Sequence, residues 1–491
     1  HLSAFRLILG LFAAAVCGLI ATPATAQMKT GEAMQAYEAV FDVELSQRGY
    51  PFGADLVECD VPGKILWPGE QPRLTFAIRN NLDRRINTQG RIHVIRYGTK
   101  GIAGNIWLPE LVKFEDVASK RIEVDLAAGE TTRVNYAPKL PGTFGGYAFI
   151  VELAGQGRRV ACTLARSVQV ETKPQQYPAF SLDIKDPTIL RRLGVQAIRM
   201  GGCSYVPSNH PNREASMKAL GERLQKLHEA NVTVMLMPGA SGAAGQPLGQ
   251  PRPHLTEEGI MTKGKDDRAW LPSYDADFAD WCYEVSRRWG WPKGPVTSFS
   301  LWNEPWEGLS ISGWGADMIR FRSLYKAMAE GIQRAREEHG VEVLATGCDS
   351  GSNTIDKLFP DGSDDFLLYL DACTVHYHGL NAPSTYKAWI NRKSSTGRVK
   401  IWDTESWIAN TDDRIGIALA AMRSAGYDRT MGIYSGNIHN ATGAWSTAAA
   451  YAAAHHFLAR RDFREILFRK GLPWVFVFDG PEGEPDEGSI V

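Results

Sequence analysis

Past Ile20 the chain has no apolar run long enough to cross a bilayer as a helix, which excludes a helical membrane span. It has no excess of charge either. The formal net charge is -1, so neither nucleic acid nor an anionic membrane surface finds an electrostatic footprint. No CxxC pair occurs, which argues against a structural zinc site. No Gly-rich dinucleotide turn follows an early strand, and no internal repeat is visible. Asp361-Gly362-Ser363-Asp364-Asp365 lacks the full EF-hand pattern and reads as a solvated loop rather than a calcium site. What remains is a soluble composition, 44% hydrophobic and 22% charged, in a chain of 491 residues, enough for two or three domains.

The N-terminus reads as a leader. Arg6 precedes the short apolar run Leu7 to Ile20, and Ala24-Thr25-Ala26 supplies small residues for cleavage before Gln27. This pattern predicts a secretory signal peptide over 1–26 and a secreted or periplasmic product. The apolar run continues past Cys17, which disfavours acylation there. The opening on His1 rather than Met, and the close on Ile490-Val491, fit a fragment. Six cysteines follow the leader: Cys59, Cys162, Cys203, Cys282, Cys348 and Cys373. Cys59 and Cys162 fall near the two ends of one domain and could bridge in an oxidising compartment, but free buried thiols are the favoured reading.

Residues 27–54 form a polar N-terminal segment with helical spacing. From 55 to 172, short alternating runs such as Arg73 to Ile78, Arg91 to Ile95, Thr131 to Tyr136, Gly146 to Glu152 and Arg159 to Val170 are separated by turn residues, which predicts an all-β sandwich. Lys173 to Pro178 reads as a linker. The period then switches. Eight apolar strands over 179–470 (Ala179–Ile184, Val195–Gly201, Val232–Pro238, Thr297–Asn303, Val341–Gly347, Ala372–His376, Val399–Glu405 and Thr430–Ser435) alternate with helical stretches. That count predicts an α/β catalytic domain closed as a (β/α)8 TIM barrel. Residues 471–491, with Trp474 to Phe478, read as the start of a further β-rich C-terminal segment.

Active sites of such barrels form at the C-terminal ends of the strands. Strand two ends at Arg199-Met200-Gly201, strand four at Trp302-Asn303-Glu304-Pro305-Trp306, strand six at His376-Tyr377-His378, and strand seven at Trp402-Asp403-Thr404-Glu405-Ser406-Trp407. Two carboxylic acids, Glu304 and Glu405, therefore project into the mouth among aromatic residues. A glycosidic bond is cleaved by such a pair, and carboxyl groups about 5–5.5 Å apart retain configuration. Glu307 and Asp403 compete for these roles. Strand alternation points Asp403 the same way as Glu405 but one layer deeper, where it supports rather than attacks.

Asn303-Glu304-Pro305 after an apolar strand, with Thr404-Glu405 ending a later one, resembles clan A of the glycoside hydrolases. Within that clan the sequence is most similar to the β-xylosidase/α-L-iduronidase group, glycoside hydrolase family 39, and more loosely to family 5. The resemblance covers roughly 179–470. It implies Glu304 as acid/base, Glu405 as nucleophile, Asn303 on the 2-hydroxyl of the reacting sugar, and Arg199 as the cation beside the nucleophile. It further implies His376 as the strand-six histidine near the acid/base. The clan often has His-x-Tyr here, the tyrosine bonding the nucleophile. In this chain His378 stands in the tyrosine's place, so His378 or a tyrosine from elsewhere, such as Tyr434, is expected to orient Glu405. Trp306, Trp407 and Trp445 follow strand ends and are expected to offer faces to sugar rings.

The expected function is thus a secreted retaining glycosidase on equatorial linkages of a poly- or oligosaccharide, needing no metal or organic cofactor. A transglycosylase using the same glutamates is one alternative, and a non-catalytic carbohydrate-binding barrel is another.

Overall fold

The computed structural model describes residues 50–201, 203, 205–238, 272–307, 314, 316–350, 361, 365–380, 386, 393–394, 397–405, 409–433, 435–471, 473–481 and 488. The leader, nearly all of 27–54, the segment 239–271, and the candidates Trp407 and Tyr434 lie outside these residues, as does the side chain of Trp306. The chain divides into two compact units. One takes the described part of His1–Asp60 with Gln71–Pro141 and Tyr147–Thr163, and the other takes Val61–Glu70, Gly142–Gly146 and Leu164 onward.

Alternation builds the first unit. Leu74–Asn80 buries Leu74, Phe76, Ile78 and Asn80 and turns the residues between them outward. It pairs antiparallel with Phe52–Cys59 on one side and Thr131–Tyr136 on the other. A second, five-stranded sheet runs Ile65–Leu66, Gly157–Arg166, Gly145–Leu153, Ile86–Ile102 and Asn105–Leu126, the first pair parallel and the last antiparallel. Phe76 of the first sheet meets Phe149 of the second with ring centroids 5.8 Å apart, the contact expected of a sandwich core. Two strands exceed the sequence expectation. Phe52–Cys59 begins before residue 55, and Asn105–Leu126 was not anticipated, because Pro109, Glu115 and Asp116 interrupt its pattern. Its register shifts against Ile86–Ile102 at three places, so charged residues are taken up without ending the strand.

The second unit holds eight parallel strands: Phe180–Leu182, Ala197–Met200, Thr233–Leu236, Val296–Ser300, Leu344–Ser350, Ala372–His376, Lys400–Glu405 and Arg429–Ile433. Strands two to eight hydrogen-bond in sequence order, and strand eight pairs with strand one through Thr430–Phe180 and Ile433–Leu182. This cyclic order is that of a (β/α)8 barrel. Helices Arg213–Glu229, Asp275–Trp289, Met318–His339, Asp412–Ala425 and Ser446–Leu458 follow strands two, three, four, seven and eight, and their ends are set by local sequence. Met318–His339 shows why. Asp317 accepts from the Arg320 N–H at its start, and Gly340, at φ 64°, lets the chain leave the helix at its end. Gly331 of this helix packs on Ala279 of Asp275–Trp289 so closely that a Cβ would sit 2.1 Å from the Ala279 carbonyl oxygen. Alternate residues of the strands face two cores. Val234, Leu236, Phe299, Val375 and Ile401 join Leu220, Phe278 and Leu324 of the helices, while Met235, Leu344, Ala372, Trp402 and Met431 form a separate buried cluster.

The C-terminal segment is a hairpin of Phe463–Leu467 with Val475–Phe478, so its first strand precedes the expected boundary at 470. Cys203, Cys282 and Cys373 are buried free thiols, and burial pushes the Cys203 thiol up to about 11. Among the described residues no helix is long and apolar enough to cross a membrane.

Candidate active site

Four strand ends bring the site together. Strand two supplies Arg199, strand four leads into Asn303 and Glu304, strand six ends on His376 and strand seven on Glu405. His376 Nδ1 lies 2.7 Å from Glu304 Oε1 and 3.4 Å from Glu405 Oε2. Arg199 places Nη1 3.5 Å from Glu405 Oε2 and donates through Nη2 to Asn303 Oδ1 at 2.6 Å. The ligand atoms of Glu304, His376 and Glu405 all fall within 4.8 Å of one another. His376 is fully buried, and the carboxyl-bearing side chains are 14% (Glu304) and 26% (Glu405) exposed, so the pair opens to solvent from a desolvated base.

Two residues at the site sit in the left-handed region that non-glycine residues avoid. Glu304 has φ 46° and Tyr377 has φ 56°. Such a conformation costs on the order of 1–2 kcal/mol and marks positions where the surroundings dictate the backbone. At Glu304 the turn precedes Pro305, which already disfavours the right-handed helical region for the residue before it. At Tyr377 the consequence is functional. Its hydroxyl donates to Glu405 Oε1 at 2.5 Å, and its N–H donates to the Glu405 carbonyl. The nucleophile candidate is therefore bonded by Tyr377, where His378 was expected, and Tyr434, the other residue expected there, lies outside the described residues. His378 turns away into the protein, 9% exposed, with Nε2 3.3 Å from the Tyr386 hydroxyl.

The register explains the displaced tyrosine. Val375 stands opposite Asp403, but the next pair is His376 opposite Glu405, so Thr404 is an extra residue on strand seven. This bulge interrupts the alternation on which Asp403 was expected to lie simply beneath Glu405. Asp403 is 1% exposed.

The tryptophans divide. Trp445 is 2% exposed at the start of the helix Ser446–Leu458, so no face is open for a sugar ring, which corrects its assignment to binding. Trp302 and Trp314 are likewise buried, packed edge to face at 5.1 Å. One residue escaped the sequence reading altogether. Asp183 follows strand one, reaches solvent, and is raised above the usual carboxylate range by burial and by Glu405, against the pull of Lys185 and Arg199. Its position one residue past the end of Leu182 was the available signal.

The spacing of Glu304, His376 and Glu405 could seat a metal ion as well as a sugar. Both oxygens of Glu405 are already engaged, one by Tyr377 and one by Arg199, and the guanidinium opposes a second cation.

No family model matches the chain, and no curated protein matches it. Among solved structures, a family 39 glycoside hydrolase from Bacteroides cellulosilyticus superposes with a TM-score of 0.52 at 14% identity over 88% of each chain. A glucosidase from Croceicoccus marinus gives 0.41 at 12% identity, over 64% of this chain and 73% of that one. The first of these likenesses establishes a shared fold.

Proposed function

We propose that this chain is a retaining glycoside hydrolase of clan A type, acting on equatorial linkages of a poly- or oligosaccharide. The observation that carries the reading is the Glu304–Glu405 pair, with oxygens within 4.8 Å, each held by a different partner set. Retaining enzymes keep their two carboxyl groups about 5–5.5 Å apart, whereas inverting ones need about 6.5–9.5 Å to admit a water.

The chemistry follows from the contacts. Glu405, set by Tyr377 and Arg199, bonds to the anomeric carbon as the glycosidic C–O bond breaks, and Glu304 gives its proton to the leaving oxygen. In the second step Glu304 takes a proton from water, the water oxygen bonds to the anomeric carbon, and the ester to Glu405 breaks. Asn303 has its side-chain oxygen occupied by Arg199, which leaves its amide nitrogen to donate to a sugar hydroxyl. Neither step calls on a metal or organic cofactor. From the leader pattern we also propose export, tested by sequencing the N-terminus of protein recovered outside the cytoplasm for a start at Gln27.

The main test is a panel of aryl glycosides and polysaccharides, with the anomer of the first-formed product read by NMR. A product of retained configuration is expected, and an inverted one refutes the mechanism. Longer oligosaccharides on addition of an acceptor sugar would favour a transglycosylase. Binding without turnover across the panel would favour the carbohydrate-binding barrel.

A further inference from the structure

Strand one brings to the mouth a residue that the two-step chemistry does not use. Phe180, Leu182 and Ile184 all pack into the core between strands and helices. Side chains alternate along a strand, so Ser181 and Asp183 face the barrel interior. Ser181 is 1% exposed, whereas Asp183, one residue past the strand end, is exposed. On strand two, Ile198 and Met200 join the same helix-side core, which turns Arg199 inward as well. Asp183 therefore stands in the mouth, with Arg199 and Glu405 within electrostatic reach. Arg199 is committed to Glu405 and Asn303. Among the described residues no hydrogen bond or ion pair holds the Asp183 carboxyl. The other cation in reach is Lys185, exposed two residues farther along the chain. Burial and Glu405 raise the Asp183 carboxyl above its usual range, the mark of a concave spot that is open yet short of water.

Resting on the glycosidase reading of the site, we infer that Asp183 is a specificity-determining residue, whose carboxylate accepts hydrogen bonds from hydroxyl groups of the sugar held over Glu405 and whose charge makes the site one for neutral rather than acidic glycosyl groups. A sugar whose anomeric carbon lies against Glu405 spans the mouth, and its ring hydroxyls meet the inward-facing groups of the other strands. A carboxylate offers two oxygens, so it accepts from two neighbouring hydroxyls at once, and bonds to a charged acceptor are the strong ones. A sugar that lacks the hydroxyl leaves this acceptor unpaired, which a site of this kind rejects far more sharply than an apolar pocket does. A uronic acid brings a carboxylate toward Asp183 and Glu405 together, and like charges in a partly desolvated cleft repel strongly. Lys185 offsets part of that repulsion, but it is exposed and water screens its charge.

The test compares kcat/KM for a dinitrophenyl β-glucoside, its counterparts lacking the hydroxyl at carbon three, four or six, and the matching β-glucuronide. Each is measured with the wild type, Asp183→Asn and Asp183→Ser. Removing a contacted hydroxyl should cost the wild type about 10–100-fold but Asp183→Ser no more than about threefold, because its partner is already gone. Asp183→Asn keeps the side-chain shape and removes the charge, so the glucuronide should gain about tenfold relative to the glucoside. Deoxy substrates that lose the same factor in the wild type and in both variants overturn the inference, as does an unmoved glucuronide-to-glucoside ratio. Variants uniformly slower on every substrate mark a merely structural role and also overturn it. Glu405→Gln is run in parallel. Turnover by that variant, or none by the wild type on any of these substrates, refutes the glycosidase reading and this inference with it. A dead Glu405→Gln beside an active wild type and unmoved ratios refutes this inference alone.

Discussion

The two ends of the barrel both bury charge, and they satisfy it differently. At the mouth, Arg199, Glu304, His376 and Glu405 are partners of one another, each within hydrogen-bond or ion-pair distance of the next. At the opposite end Arg429, fully buried at the start of strand eight, donates to the carbonyl oxygens of Pro178 and Gln176. Its guanidinium stacks 4.4 Å from the Trp402 ring centroid and 5.7 Å from that of Tyr177. Burial pushes it down to about 9, so it is still charged at neutral pH. Charges paired with titratable groups can change state during a reaction. A charge held by carbonyl oxygens and aromatic faces cannot pass its proton to them. The mouth therefore holds groups that can exchange protons, whereas the floor holds a fixed charge.

The largest expected effect tests the mouth. Glu405→Gln should lower turnover by on the order of 10⁴-fold or more while the melting temperature holds, because the amide cannot attack the anomeric carbon. Azide added to Glu405→Gly should restore turnover and give an inverted product. A Glu405→Gln protein of near-normal activity would remove the distinction between the two ends.

Arg429→Met tests the floor in the opposite sense. The methionine keeps much of the contact with Trp402 but loses both carbonyl hydrogen bonds, at about 1.5–3 kcal/mol for each bond to a charged donor, offset by the desolvation no longer needed. A net loss of about 2 kcal/mol in denaturant titrations is expected, with kcat of the folded protein within about twofold. A changed pH–rate profile in this variant would show that the floor is coupled to the chemistry.

How far these ends were legible in the sequence differs as well. Strand ends were readable because apolar runs such as Lys400–Glu405 stop where polar loop residues begin, and both candidate glutamates followed from those stops. Tyr377 was not readable, because the left-handed turn at that residue and the extra Thr404 between Asp403 and Glu405 shift which side chain faces Glu405. Backbone of that kind is imposed by tertiary packing and leaves no periodic trace. Trp445 misled for a related reason. It follows a strand end in sequence, yet the helix it starts carries it into the core. On the floor, Arg429 looked like any charged residue at a strand start. Only the linker residues Gln176 and Pro178, which accept its hydrogen bonds, reveal its role.

Tyr377→Phe sharpens the account of the mouth by removing one hydroxyl from Glu405. A hydrogen bond to a charged group contributes about 1.5–3 kcal/mol, so kcat/KM should fall by about 10–100-fold with the fold intact. His378→Gln, which leaves Glu405 untouched, should fall far less. The reverse order of effects would restore His378 to the place that the sequence first suggested.

The smallest effect concerns a histidine that belongs to neither end. His455 lies in the helix Ser446–Leu458, 3% exposed, its ring edge-on to Phe180 of strand one at 6.0 Å. Among the described residues neither ring nitrogen has a hydrogen-bond partner. Burial pushes it down to about 4, with His456 adding to the effect. The folded protein thus binds this proton less readily than the unfolded chain, whose histidine titrates near 6.5. Between those values the unfolded state holds more protons, so stability rises with pH there, and it is lost as pH falls from about 6.5 through about 4. By pH ~5.5 the loss should be about 1 kcal/mol, roughly one pH unit of linkage. His455→Phe removes the titrating group from an apolar slot and should flatten this part of the stability–pH curve in urea titrations. Glu405→Gln should leave that stretch of the curve as steep as in the wild type. If His455→Phe is as acid-sensitive as its parent, the acid lability arises elsewhere, and the carboxylates and histidine of the mouth become the next place to look for it.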